Sequence, residues 1–172
     1  RRGAEVTVFE AAKPAHAASG RSFGWINASF YANPAHHRLR VAGMQAHHRL
    51  QSLLAAAAAP NWQGCLWFEA QGAPQTLMAE ELSALGYPVD RLNRADLSRL
   101  EPRLADPPET ALRFATEGAT DAAALTLALL AASGGRLHAG LSVKSLIEKS
   151  GQIAGVRTAV GPFAADHVIL AA

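Results

Sequence analysis

Residues 3–10 read Gly3-Ala4-Glu5-Val6-Thr7-Val8-Phe9-Glu10, with Ala11-Ala12-Lys13-Pro14 following. The run 5–9 is β-branched and aromatic and is bounded by Gly3 and by Lys13-Pro14, which predicts a short buried strand. Ahead of it, Arg1-Arg2-Gly3 has the basic last turn and glycine stop of a helix. Helix end, tight turn and strand make half of a βαβ unit, so the stretch predicts an α/β fold. Glu10 stands directly after the strand, where a dinucleotide-binding fold puts a carboxylate to accept hydrogen bonds from ribose hydroxyls. A glutamate there is also common as a solvated turn residue, and its position alone does not separate NAD from FAD.

Working outward, residues 15–29 are rich in Gly, Ala and Ser without a sustained period, the character of a loop held close to something. From Pro34 a helical pattern runs through Leu39, Val41, Met44, Leu50, Leu53 and Leu54 into the alanines 55–59, and Pro60-Asn61 ends it. One long helix is expected. Residues 65–69 are a strand candidate, 80–85 and 96–100 short helices, 102–108 a connection and 112–115 a returning strand. Asp121 is a plausible cap for a helix over 122–132, stopped by Ser133-Gly134-Gly135. A short apolar run, 137–139, follows. Three strands over 141–148, 153–158 and 163–171, with glycine turns between them, predict a meander.

Composition narrows the functions. Nearly half the residues are apolar, so a packed core rather than a disordered chain is expected. The Lys and Arg residues are scattered singly despite a pI of about 9.0, which gives nucleic-acid binding little support. One cysteine, Cys65, excludes an intramolecular disulfide framework and a multi-cysteine zinc site. It suits a reducing compartment, so the expected location is cytoplasmic, with a peripheral position at the inner membrane as the alternative. The most apolar stretch, 122–132, is shorter than the roughly 20 residues of a membrane span. Both ends read as interrupted elements, a helix end at 1–3 and a buried-strand pattern at 166–172, so further chain is expected on either side.

The segment 10–27, E-A-A-K-P-A-H-A-A-S-G-R-S-F-G-W-I-N, resembles the flavin-contacting segment of the DAO family, the FAD-dependent oxidoreductases that include D-amino acid dehydrogenases, glycine oxidase and sarcosine oxidase. The matching features are Glu10, Lys13-Pro14, Ser19-Gly20 in a small-residue loop and Gly24 before an apolar residue. Such a loop lets backbone N–H groups approach a pyrophosphate and a flat ring without side-chain obstruction. A second match covers 115–132, A-T-E-G-A-T-D-A-A-A-L-T-L-A-L-L-A-A, and the meander to Ala171-Ala172. The order of elements carries the resemblance: acidic strand end, small-residue loop, long helix, helix and meander. The match is loose over 60–115, where substrate specificity would live. Arg21-Ser22-Phe23 is an uncommon filling of the loop for the family, so covalent attachment of the flavin stays open.

The resemblance implies that FAD is the cofactor, that Glu10 holds the adenosine ribose with Ala11 and Lys13 beside it, and that Ser19, Gly20, Arg21, Ser22, Gly24 and Trp25 line the cofactor. It implies that Val143 meets the adenine through its backbone and that Ala171 and Ala172 sit beside the phosphates. Each has a plainer reading: Arg21 as a surface arginine, Phe23 and Trp25 as core packing, Val143 and the alanines as sheet filling.

The histidines do not form a metal site by spacing. His36 and His47, like His37 and His48, recur on one helix face about 16 Å apart, too far for one ion. His138 and His167 receive no role, and no catalytic side chain is assigned.

The expected architecture is therefore α/β, with a Rossmann-like, incomplete FAD-binding domain from 1–33 and 120–172 that carries the three-stranded meander. Residues 34–119 would supply the linking helix and part of an α+β substrate domain. The expected reaction is oxidation of an amine or amino acid by hydride transfer to FAD, with oxygen or an electron-transfer partner as acceptor. The alternatives are a flavin or nicotinamide oxidoreductase acting on a hydroxy acid, and a noncatalytic or partner-binding subunit. The 172 residues alone are expected to bind FAD weakly or not at all.

Overall fold

The structure is a computed structural model that describes residues 3–54 and 58–171. Its contacts divide the chain into two compact units, residues 1–22 with 122–172, and residues 23–121. Residues 23–33, expected with the first segment, pack within the second unit.

In the first unit, β1 (Thr7–Glu10) runs parallel to β7 (Arg136–Ala139), with Glu10 opposite Ala139. Here β1 is half-buried rather than buried, since β7 is its one partner among the described residues. A helix, α4 (Ala122–Ser133), precedes β7 and stops before Gly134, whose φ of +66° suits the helix exit. Three antiparallel strands follow as a meander: β8 (Val143–Lys149), β9 (Gln152–Thr158) and β10 (Gly161–Ala164), in the order β10-β9-β8. The aromatic rings of Phe9 and Phe163 pack edge to face, 4.9 Å apart.

The strand expected over 163–171 ends at Ala164. The Ala165 amide still donates to the Ala154 carbonyl of β9 at 3.1 Å, but no strand ladder continues past it among the described residues, and Ile169 and Leu170 are exposed. A strand forms through its ladder partner, not through pattern alone.

In the second unit, α1 (Pro34–Leu50) starts under Asn33, whose side chain accepts from the His36 amide, and Pro34 occupies its first turn. It ends earlier than expected. A 3-10 turn covers Gln51–Leu53 and Leu54 is extended, while residues 55–57 of the alanine run, like Arg1, Arg2 and Ala172, lie outside the described residues. The stop has a tertiary cause: the Trp62 indole donates to Gln51 Oε1 at 2.9 Å, and its ring stacks on His48 at 3.8 Å.

The rest of the unit is a sheet with helices against it. The strands β3 (Cys65–Trp67), β4 (Asp90–Asn93) and β5 (Thr110–Phe114) form an antiparallel sheet in the order β3-β5-β4. The central strand β5 buries Ala111, Leu112 and Phe114. The helix expected at 80–85 is α2 (Ala73–Ala84), started by Pro74 in its first turn and burying Gln75, Ala79 and Leu82 along one face. A capping box between Asn93 and Asp96 starts α3 (Arg94–Leu100). A two-residue pair joins β2 (Trp25–Ile26) to β6 (Gly118–Ala119) within the expected loop. Ile26, Ala28, Met44, Ala79, Leu82, Tyr87, Leu112 and Phe114 make the core.

Candidate functional site

Glu10 closes β1 at its carboxyl end. Its Oε1 accepts from the Ala12 amide at 2.8 Å, folding the chain into the turn 11–14. Its own carbonyl accepts from Leu141 at 3.0 Å, and the Ala12 carbonyl accepts from Gly140 at 2.8 Å. These bonds bring the entry to β8, and with it Val143, to the carboxyl end of the parallel pair. Ligands in open α/β sheets bind beyond the carboxyl ends of the strands. Glu10, Ala11, Lys13 and Val143 therefore belong to one region, and Ala11, Lys13 and Val143 are exposed there.

The small-residue loop ends in a 3-10 turn, Ser19–Arg21, beside α4. A Cβ on Gly20 would collide with the Ala15 carbonyl, so only glycine lets the loop fold back on itself here. Gly20, Arg21 and Ser22 are exposed along the turn. This supports the fit of a dinucleotide: a carboxylate at the strand end for ribose hydroxyls, and an exposed turn of small residues for phosphates. Ala171 is exposed beyond β10, and Ala172 is outside the described residues.

Gly24 and Trp25 lie in the second unit. Gly24 has a φ of +71°, and a Cβ there would run into the Thr120 carbonyl, which accompanies the bond from the Thr120 amide to the Gly24 carbonyl at 2.9 Å. Trp25 is half-buried between Phe23 and Phe30, with its ring edge to face with Phe30 at 5.4 Å.

The indole N–H of Trp25 leads to a residue to which the sequence reading gave no role. It donates to Oε2 of Glu117 at 2.9 Å. The other oxygen, Oε1, accepts from the amides of Ala28 at 3.1 Å and Ser29 at 2.9 Å and from the Tyr87 hydroxyl at 2.8 Å. Glu117 is completely buried, and no ion pair reaches it among the described residues. Four donors and no cation satisfy the carboxylate, the condition on which a buried charge is tolerated. The same turn is gripped from α1: Arg40 donates through Nε to the Asn27 carbonyl and through Nη2 to Asn27 Oδ1, and His37 Nδ1 donates to the Ala28 carbonyl.

This cluster has electrostatic consequences. Burial, and after it the Glu117 carboxylate, pushes the Tyr87 hydroxyl well above the usual tyrosine pKa. The same two causes in the same order push the Cys65 thiol up to about 11. Burial, and then the neighbouring His48, lowers the pKa of His47.

Glu117 could have been singled out only weakly from sequence, as a carboxylate between a strand and a glycine. An open depression of about 930 Å³ in the same unit, lined by Gln75, Arg91, Arg94 and Glu109 among others, contains none of the predicted residues. No cluster of metal-ligating side chains occurs among the described residues.

Comparison with known proteins sets this geometry in a family. The family model described as FAD dependent oxidoreductase, DAO, matches residues 1–172. No curated protein sequence matches the chain. Among solved structures, the glycine oxidase from Bacillus cereus ATCC 14579 is similar with a TM-score of 0.83 at 20% identity, covering 95% of this chain and 47% of its own. The L-amino acid deaminase from Proteus myxofaciens in complex with anthranilate gives 0.85 at 20% identity, over 95% of this chain and 39% of its own. The L-proline dehydrogenase from P.horikoshii gives 0.79 at 20% identity, over 95% and 45%. The chain thus spans less than half the length of these structures, and at such identity they show a shared fold. With the match over its full length, the chain belongs to the DAO family of FAD dependent oxidoreductases.

Proposed function

We propose that the complete protein binds FAD and oxidises an amine or amino acid. The observation that carries this reading is Glu10 at the carboxyl end of a parallel strand pair, followed by the exposed small-residue turn, in a chain whose whole length matches an FAD-dependent family. The similar structures bear the names of enzymes of glycine, L-amino acids and L-proline, which favours an amino acid over a hydroxy acid.

In this account residues 1–22 and 122–172 form a Rossmann-like cofactor domain, and 23–121 contribute to a substrate domain. Glu10 accepts hydrogen bonds from ribose hydroxyls, with Ala11 and Lys13 alongside. Ser19, Gly20 and Ser22 present main chain and hydroxyls to the pyrophosphate, and Arg21 adds positive charge. Gly24 and Trp25 line the cofactor, Val143 meets adenine through its backbone, and Ala171 and Ala172 stand beside the phosphates. FAD, when bound, supplies the hydride acceptor. The protein's part is to hold the amine carbon in place and keep the amine neutral, and the imine product hydrolyses to a keto acid or aldehyde. Oxygen or an electron-transfer partner completes the cycle. A cytoplasmic location belongs to the same reading; no helix among the described residues is long and apolar enough to cross a membrane.

The test is anaerobic addition of D-amino acids, L-amino acids, glycine and sarcosine to the full-length, flavin-loaded protein. Bleaching of the flavin by one of them, with the matching keto acid or aldehyde as product, is the expected result. Bleaching by a hydroxy acid and by no amine would move the activity to the other substrate class, and a flavin that nothing reduces would point to a noncatalytic protein.

A further inference from the structure

A hydrocarbon side chain would fill the volume of Glu117 without the cost of desolvating a carboxylate. What the carboxylate adds is direction: Oε2 sets the edge of the Trp25 indole, while Oε1 fixes the amides of Ala28 and Ser29 and the hydroxyl of Tyr87. Together with Arg40 on Asn27 and His37 on the Ala28 carbonyl, it holds the main chain 27–29 at four points. The Glu117 backbone is itself held, its carbonyl accepting from Gly64 at 2.9 Å and its amide donating to Phe114 at 3.1 Å. A rigid second layer of this kind is what keeps a ligand-facing side chain in a single orientation.

We propose that Glu117 is a positioning residue for the cofactor, acting through Trp25, whose ring it holds directly and through the 27–29 turn that follows it. This rests on the reading of Trp25 as a cofactor contact. Glu117 touches neither cofactor nor substrate in this account; it sets the Trp25 ring that does. Glu117→Gln keeps the volume but exchanges one acceptor oxygen for an amide NH2, which then faces N–H or O–H donors. The indole or the turn must yield.

The experiment uses the full-length FAD-loaded protein and reads the visible circular dichroism of the bound flavin, a signal of the ring's surroundings rather than of stability. The expected result is a loss of flavin ellipticity in E117Q, a comparable change in W25F, and no further change when E117Q is added to W25F, because the two act in series. Should E117Q not fold, Glu117→Asp, which retracts the carboxylate by one methylene, is read in the same way. A flavin-loaded variant with the wild-type spectrum, or an effect of E117Q that persists undiminished in the W25F background, overturns the proposal and leaves the cofactor reading standing. A wild-type protein that takes up no flavin overturns both.

Discussion

The Tyr87 hydroxyl donates to Oε1 of Glu117 at 2.8 Å, joining residues 30 positions apart inside the core of the second unit. Tyr87 is 6% exposed and Glu117 not at all. The bond links the apolar core, through Tyr87 and Glu117, to Trp25, which the family resemblance sets beside the cofactor.

Tyr87→Phe removes one donor from a buried carboxylate while keeping the ring, and is expected to cost about 1–3 kcal/mol. Urea unfolding of wild type and variant measures it. The folded-state pKa of Tyr87 is raised above the usual 10.0, so the unfolded state releases the proton first. The bond's contribution is complete below pH 10.0 and is lost as pH rises towards the folded-state value. The gap between wild type and Y87F should therefore narrow above that pH; a constant gap would show that the phenol is not held protonated.

Cys65 is expected to resist alkylation. With its thiol pushed up from 9.0 to about 11 by burial and then by Glu117, little thiolate exists near neutrality. Iodoacetamide at neutral pH should label the folded protein more slowly than the urea-unfolded one. Equal rates would contradict the placement of Cys65 near the Glu117 carboxylate.

Gly24→Ala should destabilise the second unit by at least about 1–3 kcal/mol, the cost of a strained left-handed backbone, before the collision with the Thr120 carbonyl is added. Thermal unfolding reads this directly. A wild-type melting temperature would mean that residues 23–25 follow a different path.

Asn33→Ala should cost about 1 kcal/mol by uncapping α1, the helix that carries His37 and Arg40 onto the 27–29 turn. Asn33→Ser should recover most of the loss. Equal stability of the two variants would show that the cap bond to His36 contributes nothing.

What was legible in the sequence was local. The β-branched run ending in Glu10, the helix stop at Ser133-Gly134 and the glycine turns of the meander are written in neighbouring residues, and the elements appear there within a few positions. The end of α1 at Leu50 was not, because the contacts of Trp62 with Gln51 and His48 come from outside the helix. Strand β4 reads Asp-Arg-Leu-Asn and has the polar character of an edge, paired among the described residues to β5 alone. The role of Glu117 was least visible. The indole that donates to it is 92 positions away in sequence, and a Glu before a Gly carries no mark of burial until the fold brings Trp25, Tyr87 and the 28–29 amides around it.

The most direct test of the central claim is FAD binding by the full-length protein with Glu10 intact and with Glu10→Ala, followed by flavin absorbance and identification of the released cofactor. A yellow wild-type protein that releases FAD is expected, with a variant that is folded but binds FAD more weakly. A wild-type protein that is colourless and stays so after incubation with FAD, or an E10A variant with undiminished FAD affinity, would contradict it.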